Sequence, residues 1–146
     1  MKIVDLASFA STELMSGWFE GDSAARHRGN FPLGGGNGAA DSAVVYVELE
    51  PGTRLEEHTD SPEEILLVLE GEVEVAVGDE RARAHAGCLA VVPPMAPHVI
   101  RNVGKGVVRF VGFFPSPGVV STFVAPMQPV GLQVLAFGET PALVTA

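Results

Sequence analysis

His58, Asp60, Glu64 and His98 are the residues of this chain whose types and spacing could do chemistry. Imidazole nitrogens and carboxylate oxygens are donors for first-row divalent metals, and three of the four fall within a single short stretch. Side chains of a strand alternate between its faces, so His58, Asp60 and Glu64 share a parity with Leu66 and Val68. One face of a β-ribbon would then carry three ligands followed by apolar fill, which describes a site at the mouth of a core. His98 shares its parity with Ile100 and Asn102 in the same way. Gly52, Gly71 and Gly87 punctuate these segments as turn residues, and Asn102 reads as a turn stabiliser through its amide.

Other chemistries find less support. His27 and His85 fit no ligand spacing and read as hydrogen-bonded surface or core residues, and Glu63, opposite in parity to Glu64, reads as solvated. No Ser-His-Asp or Cys-His constellation can be assembled, and Cys88 lies in an apolar run that disfavours a thiolate. The Gly34-Gly35-Gly36-Asn37-Gly38 cluster lacks the Lys-Ser/Thr of a phosphate loop and opens no helix, so it reads as a flexible surface turn.

The two blocks resemble the sequence motifs of the cupin superfamily. The first runs Gly52, five residues, His58, Thr59, Asp60, three residues, Glu64, six residues, Gly71, with Asp60 where the family has a second His. The second runs Gly87, five residues, Pro93, Pro94, Met95, two residues, His98, three residues, Asn102, with Met95 in place of a Gly. Seven or more anchors at fixed spacing in two blocks make a specific signal.

The resemblance implies an all-β fold, a double-stranded β-helix or jelly-roll barrel of two antiparallel sheets. It implies one domain over residues 1–146, with its motif core at 52–102 and an N-terminal arm (1–42) and C-terminal tail (115–146) packed on the barrel. It also implies one divalent metal ion held by His58, Asp60, Glu64 and His98, an N2O2 shell that leaves two cis positions of an octahedral ion for a chelating substrate. Asp60 replaces a neutral imidazole by a harder, anionic ligand, which favours Fe or Mn over Zn or Ni and substrate chelation over a metal-bound hydroxide. No residue is assigned to an organic cofactor.

Small quercetin-dioxygenase-like cupins are the subgroup the chain is most similar to. Dioxygenase-like chemistry on a small molecule is therefore expected, with Glu64 as the catalytic base. Non-redox isomerase, cyclase or lyase chemistry, and a non-catalytic ligand-binding barrel, are the alternatives.

Strands are expected from the alternation of Ala43 to Glu50, from Glu64 to Leu69 (apolar on both parities, hence between two layers), and at residues 73–77, 81–86, 88–92 and 107–114. The tail carries further apolar runs at 119–124 and 132–137. Residues 2–6 read as an edge strand, Ser11 to Trp18 as a helical turn leading into a strand, and 21–42 as a loop. Met95, Phe110, Phe114, Trp18 and Phe31 are candidate pocket-wall residues as well as core.

The chain has 146 residues, enough for one sizeable core. Its formal charge of -9, with scattered Lys and Arg, argues against a nucleic-acid partner. The start of the chain lacks the pattern of a secretory signal, and no apolar run is long enough for a membrane span. With one cysteine, a cytoplasmic setting is expected. Apolar strands near both ends and the open edges of a two-sheet barrel point to a homodimer.

Overall fold

A computed structural model describes residues 6–138 of the chain. These form β1 (Met15–Phe19), β2 (Asp22–Leu33), β3 (Ala43–Leu49), β4 (Arg54–Asp60), β5 (Glu64–Glu70), β6 (Glu72–Val77), β7 (Glu80–His85), β8 (Leu89–Val92), β9 (His98–Asn102), β10 (Val108–Phe114), β11 (Val119–Met127) and β12 (Leu132–Phe137). One sheet has the order β1-β2-β3-β10-β5-β8 and the other β12-β11-β4-β9-β6-β7. Every pairing is antiparallel, so the expected two-sheet jelly roll is what the chain adopts.

Alternation explains how the sheets face each other. Leu49, Leu66, Val73, Ile100, Val108 and Phe110 all point inward and are buried in one continuous core. Each side chain so buried contributes about 1.5–3 kcal/mol. Trp18 and Gln128 exchange backbone hydrogen bonds of 3.1 and 2.8 Å, which ties β1 of the first sheet to the end of β11 in the second.

The sequence expectations need four corrections. Residues 21–42 are not one loop: 22–33 form β2, whose outward Arg26 and Arg28 pair with Glu50 (3.2 Å) and Glu48 (2.8 Å) on the neighbouring β3 side. Cross-strand charge pairs stand where apolar alternation was sought. The glycine cluster after it is no loose turn, because Gly35 and Gly36 donate backbone hydrogen bonds of 2.9 Å each to Pro117 and Gly138. Ser11 to Trp18 holds no helical turn; a turn at residues 9–11 leads to β1. On β5 Glu64, Leu66 and Val68 are buried, while Ile65, Leu67 and Leu69 lie half-exposed on the outer face. The strand expected at residues 2–6 falls outside the described residues except for Leu6, which is in no strand.

Candidate metal centre

β4 lies between β9 and β11, and the register decides which side chains meet. His58 stands opposite His98 on one side and Phe123 on the other, and Asp60 stands opposite Ser121. Glu64 does not continue β4, contrary to the single ribbon expected from parity. The chain turns at residues 61–63 and crosses to the other sheet, so Glu64 opens β5 and approaches from the facing wall. All four side chains are nonetheless buried and close together.

Asp60 Oδ2 lies 3.2 Å from His98 Nε2 and 3.5 Å from His58 Nε2, and Glu64 Oε1 lies 3.4 Å from His98 Nε2. His58, Asp60 and His98 each offer a donor atom within 4.8 Å of the others, a group able to hold a metal ion, with Glu64 at its edge. Both imidazoles are set for this. The Nδ1–H of His58 donates to the Glu56 carbonyl (2.7 Å) and that of His98 to the Ala96 carbonyl (2.9 Å), which turns both Nε2 atoms inward. Phe123 stacks on His58 at 4.8 Å, and Ser121 Oγ donates to Asp60 Oδ1 at 2.6 Å, leaving Oδ2 for the centre.

Two buried atoms of this group, Glu64 Oε1 and His98 Nε2, have no hydrogen-bond partner. Burying polar atoms unpaired is costly, and a divalent cation between them would satisfy both. The charges point the same way. Burial pushes the Asp60 carboxyl up, but the adjacent His58 and His98 imidazoles outweigh it and hold Asp60 well below the usual carboxylate range. Burial raises Glu64, and the Asp60 charge adds to the effect. For His98 burial is overcome by Asp60 and Glu64, which push it up to about 10. An anionic pocket that gathers protons is one that a metal cation can enter in their place.

The centre forms the polar end of a cavity whose wall includes Phe31, Phe110, Phe114, Phe123, Phe137 and Val45. Phe31 stacks between Phe137 (5.3 Å) and Phe114 (6.1 Å). Three of the expected wall residues, Phe31, Phe110 and Phe114, are there, but Met95 and Trp18 are not. Met95 is 57% exposed in the loop before β9, and Trp18 is 42% exposed on the outside. His85 is an exposed surface residue as expected, and Glu63 is exposed. His27, expected to be hydrogen-bonded, instead faces the cavity with Nδ1 unpaired.

A family model described as a cupin domain matches residues 45–114, which contain His58, Asp60, Glu64 and His98. The fold agrees with it. Residues 45–114 are a cupin domain. No curated protein matches it in sequence. Among solved structures, the chain is similar to a Lactobacillus farciminis oxalate decarboxylase in a formate complex, with 22% identity and TM-score 0.62 over 76% of this chain and 33% of that one. It is also similar to a Bacillus subtilis oxalate decarboxylase studied for its Mn(II) centres, with 16% identity and TM-score 0.59 over 72% of this chain and 29% of that one. This cupin therefore spans about a third of those enzymes' length, and the likeness is one of fold.

Several residues that shape this cupin's centre lie outside the two motif blocks. Ser121 is a lone polar residue in register with apolar Val119 and Phe123, and that break in the alternation was its only signal. Gly112 on β10 lies under Glu64: a Cβ there would clash with the Glu64 Oε2 atom. Asn102 behaves as expected, donating to the Leu49 (2.9 Å) and Gly106 (2.8 Å) carbonyls and accepting from Gly104 N–H (3.0 Å).

Proposed function

We propose that this cupin acts on a small, largely apolar molecule chelated at a divalent metal held by His58, Asp60, Glu64 and His98, with dioxygenase-like chemistry. The observation that carries the reading is the pair of unpartnered atoms, Glu64 Oε1 and His98 Nε2, at the end of a cavity with no Lys or Arg in its wall. A bound ion, Fe or Mn by the hard Asp60 donor, would supply a Lewis-acidic point for two substrate oxygens and electrons for O2.

The protein's own groups do the rest. Backbone carbonyls fix the two imidazoles, Ser121 orients Asp60, and the phenylalanine wall keeps water from the reacting molecule. Glu64, buried at the edge of the centre, is the carboxylate placed to leave the metal and take the proton of an enol or phenol as it docks.

The oxalate decarboxylases are named for a small dianion. Here a dianion would face Asp60 and Glu64 with no basic side chain along the wall, so an enol, catechol or 1,3-dicarbonyl with an apolar body fits better. Elemental analysis of purified wild type beside Asp60→Ala tests the centre, with metal expected in the first and largely lost from the second. Equal content in both would remove Asp60 as a ligand. Oxygen uptake on adding acetylacetone or 3-hydroxyflavone to the Fe(II) protein tests the chemistry. Turnover that survives without O2 and with Zn(II) would instead assign a non-redox isomerase, cyclase or lyase, and saturable binding with neither metal nor turnover a ligand-binding barrel.

The proposal extends to one domain over residues 1–146, because β1–β2 and β11–β12 lengthen the two sheets and form no layer of their own. It also includes a homodimer, favoured by exposed Leu89, Val91 and Phe113 beside half-buried Ile65 on the outer face at the β8 edge. Light scattering that returns a monomer mass across concentrations would remove the dimer. A cytoplasmic setting is supported by the lone Cys88, and no helix of the described residues is long and apolar enough to cross a membrane.

A further inference from the structure

The buried side-chain atoms without a hydrogen-bond partner among the described residues are three, and only two of them belong to the metal centre. The third is Nδ1 of His27. This residue sits on the inner face of β2 and lines the same cavity as His58, Asp60 and Glu64. Its cross-strand partner is Gly17, and the imidazole leans over that glycine: a Cβ there would lie 2.6 Å from Cε1, 2.8 Å from Nε2 and 3.0 Å from Met127 Sδ. Two other polar side chains of the wall are already engaged. Asn30 donates to the Glu13 carbonyl (2.8 Å) and accepts from Phe31 N–H (2.8 Å), and Ser121 is held by Asp60 (2.6 Å).

We infer that His27 is a substrate-binding residue, hydrogen-bonded to an oxygen of the bound molecule that the metal centre does not hold. This rests on the chelation reading above. Burial and the neighbouring His58 charge bring the imidazole down to about 4, so near neutral pH it carries one N–H and one lone pair. Such a ring serves a hydroxyl or a carbonyl, and offers a carboxylate no charge. The substrate class is thereby narrowed to an apolar, ring-sized chelator with a third, uncharged oxygen.

The test uses Mn(II)-loaded protein under anaerobic conditions, titrated with catechol, pyrogallol and 1,2,4-trihydroxybenzene. Wild type is expected to bind at least one trihydroxy ring about five- to tenfold more tightly than catechol, the effect of one neutral hydrogen bond. In His27→Leu that gap closes while the metal content stays at the wild-type level, and His27→Gln restores part of it. Gly17→Ala keeps the imidazole but displaces it, and is expected to narrow the gap as well. Equal preference in wild type and His27→Leu would overturn the inference, as would loss of metal in His27→Leu, which would make the residue a support of the centre. Failure of metal-loaded wild type to bind catechol at all would sink the chelation reading first, and this inference with it.

Discussion

Gly112→Ala probes whether Glu64 lies where the structure puts it. Gly112 is opposite Leu66 on β5 and Val45 on β3, and the Glu64 carboxylate covers the space a side chain would take. An added Cβ would overlap Glu64 Oε2 outright, and would lie 2.8 Å from Val45 Cγ1 and 3.0 Å from Glu64 Cδ. Favourable carbon–carbon contacts are about 3.5–4.0 Å, so the Val45 methyl is short by roughly 0.7 Å or more. Val45 is β-branched and stiff, whereas Glu64 can swing away, and the carboxylate therefore yields first. Overpacking of this kind costs about 1–3 kcal/mol, a fall in melting temperature of roughly 3–10 °C for a chain of this size.

The sharper consequence is chemical. Metal should still be retained by His58, Asp60 and His98, while proton transfer assigned to Glu64 falls by about 10²-fold or more, matching Glu64→Gln. Differential scanning calorimetry, elemental analysis and turnover of the same preparations read all three effects. Gly106→Ala is the control, since an added Cβ there meets nothing within 4 Å. A Gly112→Ala protein with wild-type melting and wild-type turnover would refute the placement of Glu64.

Ser121→Ala removes the donor to Asp60 Oδ1 and should weaken metal binding about 10–100-fold, read by competition with a chelator. Metal uptake should release about one proton below pH 10, because His98 is pushed up to about 10 and must shed its Nε2 proton to coordinate; calorimetry in two buffers of different ionisation enthalpy measures it. In the metal-free protein the stability contributed by charged His98 is complete below its unfolded value near 6.5 and is lost as pH rises through about 10. That from Asp60, whose pKa is lowered, is present above its unfolded value near 3.8 and is lost as pH falls below it; urea melts across pH check both signs. Met95→Gly should stabilise by about 0.5–1 kcal/mol, since Met95 holds φ 61°, which costs a side chain about 1–2 kcal/mol, and Gly's entropy returns part of the gain.

The parts legible in the sequence were those written as regular patterns. Strand alternation around Val45, Val47 and Leu49, the apolar run of β8 and the spacing of the two blocks were enough for the two-sheet barrel. β2 was hidden because both of its faces depart from apolar alternation. Its outer Arg26 and Arg28 are paired with glutamates, and on its inner face Ala25 joins the core while His27, Gly29 and Phe31 put polar, small and aromatic residues along the cavity. Equal parity of His58, Asp60 and Glu64 suggested a single strand. Parity records which way a side chain points within one strand, and it says nothing of the turn at 61–63 that carries Glu64 to the opposite sheet.

The two departures from the family pattern become intelligible only with their neighbours. Met95 holds a left-handed backbone, the conformation a glycine adopts without strain, and its N–H donates to the Asp60 carbonyl at 2.9 Å, so the loop before β9 is anchored beside the centre. Its side chain is largely exposed to solvent. Asp60 has a shorter reach than the imidazole it replaces and one oxygen too many for a single ligand position. Ser121, on a strand beyond the motif blocks, takes that extra oxygen and turns the other toward His58 and His98. Ser121 on β11 is therefore what orients Asp60, and Ser121→Ala distinguishes an Asp60 built to bind from one merely tolerated.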